Sequence, residues 1–122
     1  MAKTILVADD DPSVRRKLCH LFENEDDYEL CEQAKTGREA VNLAKRCKPD
    51  LVVLDFSMPD MSGVQAAQLI KPLMPDVPII LFTLHDQTVF KNLPGIDSYI
   101  DRIVEKGDMH KLLDHIRQLA PV

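Results

Sequence analysis

The sequence predicts a doubly wound α/β sandwich, in which a parallel sheet of five strands alternates with about five helices. Three observations carry this prediction. Short apolar runs of strand length alternate with longer stretches in which apolar residues recur at helical spacing. The runs Leu51-Val52-Val53-Leu54 and Val77 to Thr83 are nearly all apolar, the pattern of strands buried on both faces of a helix-covered sheet. Several strand runs also end abruptly in polar chemistry: Asp9-Asp10-Asp11 after the first, Asp55 after the third, Thr83 at the end of the fourth. Right-handed crossovers make such a sheet parallel, and its functional crevice lies outside the carboxyl ends of the strands.

Each element follows in order. Thr4-Ile5-Leu6-Val7-Ala8 is the first strand. Asp11 is the expected N-cap of a helix with Pro12 in its first turn and Val14, Leu18, Leu21 and Phe22 on one face. Tyr28 to Ala34 is a weaker strand candidate. Thr36 and Glu39 form a capping box that opens a helix through Cys47, with Val41, Leu43 and Ala44 inward and Pro49 stopping it. The third strand, ending in Asp55, leads into the turn-rich loop Ser57-Met58-Pro59-Asp60-Met61-Ser62-Gly63. Ser62 and Gln65 fit a second capping box, before a helix running to about Met74 in which Pro72 tightens the last turn. Val77 to Thr83 is the fourth strand. The stretch Asp86 to Ser98 contains Pro94-Gly95, so any helix there is short or broken. Ile103-Val104 centres a short fifth strand. Asp108 is expected to cap a last helix whose stripe is Met109, Leu112, Leu113, Ile116 and Leu119.

Composition bounds the function. At 122 residues, with 45% hydrophobic and 29% charged residues, the chain reads as one globular domain spanning 1–122. No apolar run approaches the roughly 18 residues of a membrane span, and Met1-Ala2-Lys3 leads straight into a strand run, so neither membrane nor secretion leader is expected. A net charge of -5 argues against direct nucleic-acid binding, which needs a basic face. Cys19, Cys31 and Cys47 form no CxxC pair and read as buried thiols of a reducing, cytoplasmic protein. His20, His85, His110 and His115 share no zinc-ligand spacing; His85, two residues beyond Thr83, and Ser57, two beyond Asp55, lie where they can affect the rim of a site.

The strand ends deliver Asp9, Asp10, Asp55, Thr83 and, after the fifth strand, Lys106 to one edge. Singly these are turn residues, strand formers or solvated charges. Together they are a phosphoryl-transfer constellation. Clustered carboxylates repel and need a cation, and their hard oxygens suit Mg²⁺. Asp55 is then the nucleophile that forms an acyl phosphate, Lys106 the counter-charge to a phosphoryl oxygen, and Thr83 a hydroxyl that senses it.

The runs Ile5-Leu6-Val7-Ala8-Asp9-Asp10-Asp11-Pro12, Pro49 to Gly63 around Asp55, and Val77-Pro78-Ile79-Ile80-Leu81-Phe82-Thr83 resemble response-regulator receiver domains of two-component systems across essentially the whole chain. The loop after Asp55 most resembles receivers that precede helix-turn-helix DNA-binding modules. The resemblance implies a flavodoxin-like (βα)5 three-layer sandwich with strand order 2-1-3-4-5. It implies Mg²⁺ held by Asp9, Asp10, Asp55 and the Ser57 backbone carbonyl, Asp55 as phosphoacceptor, Thr83 as switch hydroxyl and Lys106 as the phosphate-pairing lysine. The implied partners are a sensor histidine kinase or phosphotransfer protein, and a C-terminal effector domain or a second copy through the face of fourth helix, fifth strand and fifth helix. Beyond catalysing its own phosphorylation and dephosphorylation, such a domain is not an enzyme. Two positions depart from the family pattern. Ile103 stands where many receivers carry an aromatic, with Tyr99 four positions further back, and Gly107 stands where a proline commonly follows the lysine.

Other readings stay open at this level. Asp9-Asp10-Asp11 also fits the DxD pattern of haloacid-dehalogenase-like phosphatases, with Asp9 as nucleophile and Asp11 as acid, although that leaves the Asp55 loop unexplained. A receiver-like interaction module that is never phosphorylated is a third class. Arg15, Arg16 and Lys17 in the first helix read as a solvated face, with kinase docking as the alternative. Met58, Met61 and Met74 read as packing residues, and Glu23 to Asp27 as a solvated turn.

Overall fold

A computed structural model describes residues 2–122; Met1, the first residue of the expected leaderless start, lies outside them. The element order is β1 (Lys3–Ala8), α1 (Pro12–Glu23), β2 (Tyr28–Ala34), α2 (Gly37–Cys47), β3 (Leu51–Asp55), α3 (Gly63–Leu73), β4 (Ile79–Thr83), two 3-10 turns (Gln87–Phe90 and Ile96–Ser98), β5 (Arg102–Glu105), a third 3-10 turn (Lys106–Asp108) and α4 (Met109–Leu119). The strands form one sheet in the order β2-β1-β3-β4-β5, and every pairing is parallel.

The two-sided burial expected of the central strands is complete, since every residue of β3 and β4 is buried. Alternate side chains feed two separate cores. Ile5, Val7, Leu51, Val53, Ile80 and Phe82 point to one face, where Leu18 and Phe22 of α1 and Leu112 and Ile116 of α4 cover them. Leu6, Ala8, Val52, Leu54, Ile79 and Leu81 point to the other, under α2 and α3. There Ala40, Ala44, Ala66 and Ala67 are fully buried, and their small side chains let the two helices approach closely. The fourth strand begins at Ile79, two residues later than expected, because Pro78 has no N–H to give to the ladder.

The caps explain most helix boundaries. Asp11 accepts from the Ser13 N–H with Pro12 in the first turn, and Ser62 and Gln65 form a reciprocal capping box. Thr36 accepts from the Glu39 N–H at 3.0 Å. Asp108 occupies the N-cap position of α4 but makes no capping bond, contrary to expectation. The 3-10 turn through Lys106–Asp108 already leads the chain into that helix, and the Asp108 carboxylate lies 4.0 Å from Lys111 instead.

The largest departure is the crossover from β4 to β5. It contains no α-helix, so the described residues form four α-helices where about five were expected. Gly95 adopts φ +73°, a left-handed conformation open to glycine, and Pro94-Gly95 separates the turn at Gln87–Phe90 from the turn at Ile96–Ser98. Phe90, Ile96 and Ile100 fill the sheet face in place of a helix. The Tyr99 hydroxyl accepts from Gln68 Nε2 at 3.1 Å and donates to the Pro94 carbonyl at 3.2 Å, tying this crossover to α3. Lys71 Nζ reaches Asp101 at 2.7 Å and the Val77 carbonyl at 3.0 Å, while the same Asp101 oxygen accepts from the Ile79 N–H at 2.8 Å. These bonds fix the start of β5, and with it the approach of Lys106 to the sheet edge.

Among the described residues no helix is long and apolar enough to cross a membrane. The three thiols are partly exposed rather than buried, because they sit at the rims of the helix–sheet interfaces. Cys31 and Cys47 neighbour each other, and burial together with Cys47 pushes the Cys31 thiol up to about 12, so it stays protonated and inert.

Candidate functional site

The polar residues gather at the carboxyl edge of the sheet. Register explains why: Ala8 pairs with Leu54, Asp55 with Phe82, and Thr83 with Glu105, so adjacent strands end at nearly the same level. Asp9 and Asp10 follow β1, Asp55 and Thr83 are the last residues of β3 and β4, and Lys106 is the first residue after β5. Carboxylate oxygens of Asp9, Asp10 and Asp55 lie within 4.8 Å of one another. Asp9 and Asp55 are buried and Asp10 is exposed. Asp10, Asp11, Asp55, Ser57, Thr83, Leu84, His85 and Lys106 line a cleft of about 180 Å³ above this cluster. All five strand-end residues read from the sequence are therefore brought together, with Ser57 at the same rim.

Lys106 closes the far side. Its Nζ lies 2.8 Å from Asp9 Oδ2 and 3.1 Å from Asp55 Oδ1, with the ammonium largely shielded from solvent. Burial works against its charge, but the bonds to Asp9 and Asp55 outweigh it and hold the lysine above its ordinary pKa. Asp55 shows the opposite balance. Burial and then the Asp9 carboxylate push it up to about 6, against the pull of Lys106. One lysine thus underneutralises three acids.

Asp9 is the most constrained of them. Its N–H donates to the Ala34 carbonyl at 3.0 Å, its Oδ1 accepts from the Asp11 N–H at 2.9 Å, and its carbonyl accepts from Arg15 Nη1 at 2.6 Å. Oδ2 is buried, and among the described residues it meets the Lys106 ammonium alone, at 2.8 Å. A buried oxygen with open lone pairs, beside two more carboxylates, fits a small hard divalent cation. Binding of such a cation competes with protonation of Asp55. Mg²⁺ affinity, measured by calorimetric titration, is therefore expected to hold above about pH 7 and to fall as pH drops through about 6, by up to about tenfold per unit. A flat profile down to about pH 5 would show that Asp55 is not a ligand.

The Thr83 side chain is fully buried, and its Oγ1 accepts from the His85 N–H at 3.1 Å, which leaves its hydroxyl proton free to donate into the cleft. His85 is exposed at the rim, where its ring meets Phe56 edge-on at 5.5 Å and Phe90 at 6.3 Å; Phe56 and Phe90 meet at 5.0 Å. These ring contacts join the residue after Asp55 to the first 3-10 turn. No sequence signal marks them, because positions 56, 85 and 90 share no local period. Ile103 stands on β5, where Gln87 Nε2 donates to its carbonyl at 3.0 Å, and Tyr99 is engaged with α3 and Pro94. Arg15 was also missed: it folds back onto Asp9 instead of lying on a solvated face.

A five-stranded doubly wound sheet with an acid cluster, a buried lysine and a hydroxyl at its carboxyl edge defines the class of small phosphoryl-accepting switches. The model of the response regulator receiver domain matches residues 5–117, and the chain belongs to that family. The response regulator protein VraR of Staphylococcus epidermidis is 32% identical over 112 residues, covering 89% of this chain and 54% of the relative, so the chain spans about half the length of the curated relatives it matches. Among solved structures, a two-component response regulator of the LuxR family from Aurantimonas superposes with a TM-score of 0.88 at 27% identity, covering 98% of this chain and 86% of the other. The response regulator TrrA of Thermotoga maritima, solved in complex with Mg²⁺ and beryllofluoride, superposes with a TM-score of 0.85 at 31% identity, covering 96% and 98%.

Proposed function

We propose that residues 1–122 act as one phosphoacceptor unit in which Asp55 takes a phosphoryl group from the phosphohistidine of a sensor kinase or phosphotransfer protein in the cytoplasm. The observation that carries this reading is the convergence of the Asp9, Asp10 and Asp55 carboxylates within 4.8 Å, opposed by Lys106. Asp9, Asp10, Asp55 and the Ser57 carbonyl hold Mg²⁺, which when bound offsets the charge gathered on the phosphoryl oxygens. An Asp55 carboxylate oxygen attacks phosphorus, the P–N bond to histidine breaks, and an acyl phosphate forms. Lys106 pairs with one phosphoryl oxygen and the Thr83 hydroxyl donates to another. Lys106 thereby turns from the Asp9–Asp55 pair toward the phosphoryl group, and the donation from Thr83, the last residue of β4, draws the segment after it toward the same group.

The partners follow the same logic. The crossover after β4, with β5 and α4, is the output face toward a C-terminal effector domain or a second copy. The DxD phosphatase reading loses its acid, because Asp11 is spent capping α1 through the Ser13 N–H at 2.9 Å. The deciding experiment is incubation with acetyl phosphate and Mg²⁺, followed by peptide mapping of the modified residue. Phosphoryl on Asp55 is expected. Phosphoryl on Asp9 would favour the phosphatase instead, and no uptake would leave an unphosphorylated interaction module.

A further inference from the structure

We propose that Arg15 is a positioning residue of the cation site, acting through the Asp9 carbonyl to aim the Asp9 and Asp10 carboxylates. The proposal rests on the reading of Asp9, Asp10 and Asp55 as cation ligands.

The starting observation is an anomaly of charge. The first turn of α1 holds no acid, and Arg15, Arg16 and Lys17 follow, although a helix N-terminus favours negative charge. Arg16 and Lys17 are exposed, as a solvated face requires. Arg15 is half-buried and turns back against the chain direction, placing Nη1 2.6 Å from the Asp9 carbonyl oxygen. A guanidinium in a short, charge-assisted bond to a carbonyl is among the stronger side-chain–backbone contacts.

That carbonyl belongs to the peptide unit joining Asp9 to Asp10. Asp9 is already fixed on its N-terminal side by its N–H bond to Ala34 and at its carboxylate by the Asp11 N–H. The bond from Arg15 fixes the one remaining free plane, and a peptide plane sets the direction in which the next residue leaves the backbone. Asp10 is exposed, and among the described residues the Lys106 ammonium pairs with Asp9 and Asp55 rather than with it. Its place in the acid cluster therefore depends on the plane that Arg15 holds. Partners of this kind, one shell beyond the ligands, typically change metal affinity by about 10–100-fold when removed.

The opposing effect has the opposite sign, which makes the idea testable. Arg15 brings positive charge toward a cation site, so charge alone predicts that its removal tightens Mg²⁺ binding. Positioning predicts that removal weakens it. The experiment is calorimetric titration of MgCl₂ into wild type, Arg15→Ala and Arg15→Lys, well below each melting temperature. Binding to Arg15→Ala is expected to be about tenfold weaker than to wild type, with Arg15→Lys, which keeps the charge and one donor head, between the two. A loss of general stability would lower the metal-free melting temperature without changing the affinity of the folded protein. Equal or tighter binding by Arg15→Ala overturns the proposal and leaves the cation site standing. Should Arg15→Ala not fold, Arg15→Lys decides alone: weaker binding supports the proposal and unchanged binding overturns it. Absence of Mg²⁺ binding by wild type overturns the site reading, and the role of Arg15 with it.

Discussion

Asp55→Asn is expected to take up neither phosphoryl from acetyl phosphate nor beryllofluoride, and in metal-free buffer at about pH 8 it is expected to melt above the wild type. The first effect is a complete loss, because the amide offers no anionic oxygen to phosphorus or beryllium. The second follows from the strain at the site. Asp55 is buried beside Asp9, and its pKa is pushed up to about 6. A carboxyl raised above its unfolded value binds its proton more tightly when folded. Its contribution to stability is fully present below the unfolded value, near 3.8, and is lost as pH rises through about 6. At about pH 8 the wild type therefore carries a penalty of ~1–3 kcal/mol that asparagine lacks. The gap between the two melting temperatures should close as pH falls from about 6 toward 4, and Mg²⁺ should reverse their order by stabilising the wild type. Coincident melting at about pH 8 without metal would mean that the acids do not strain one another.

Gly63→Ala is expected to destabilise the domain by about 3 kcal/mol or more, toward the upper end of what overpacking costs. A Cβ at Gly63 would overlap the Asp55 carbonyl oxygen, and it would press on Leu81 Cδ1 at 3.2 Å. Neither neighbour has room to yield: the first is backbone of the central strand, and Leu81 is fully buried. The Gly63 N–H also donates to the Phe56 carbonyl at 2.9 Å, so the start of α3 is pinned against the end of β3. Urea denaturation would measure the loss as a shift in midpoint. A variant within about 0.5 kcal/mol of wild type would contradict this packing. Because the clash falls on Asp55, whose carboxylate belongs to the acid cluster, any folded fraction of the variant should also lose Mg²⁺ affinity.

The layered fold was legible because its central strands are buried on both sides: Leu51 to Leu54 and Ile79 to Phe82 leave no polar face to confuse with a helix. The edge strand β2 was harder to read, since Tyr28 to Ala34 mixes buried, exposed and intermediate positions. The site was legible at the level of residue type and strand end, because a parallel sheet sends every strand to the same edge. Rotamers and long-range neighbours were not. Arg15 in the first turns of a helix has the sequence of a solvated cation, and only its turn back to Asp9 distinguishes it. Asp108 has the identity and position of a cap, yet the preceding 3-10 turn takes over the entry to α4. Cys31 and Cys47, far apart in sequence, meet through the docking of α2 on β2.

The crossover between Thr83 and Lys106 sets how motion can travel. A helix moves as a rod: tilt one end and the other must follow. Here single 3-10 turns, separated at Pro94-Gly95, are held by Phe90 in the core, by Gln87 on the Ile103 carbonyl and by Tyr99 on Pro94. The three holds share no residue, and no long helix would have to be renucleated to restore any one of them. A displacement begun at Thr83 by the proposed phosphorylation would be absorbed within a turn or two, near Leu84, which is 80% exposed, and Val89. If this face is the output surface proposed above, what it would broadcast is a change of local surface close to the cleft, where a rigid helix would have delivered a lever stroke to its far end.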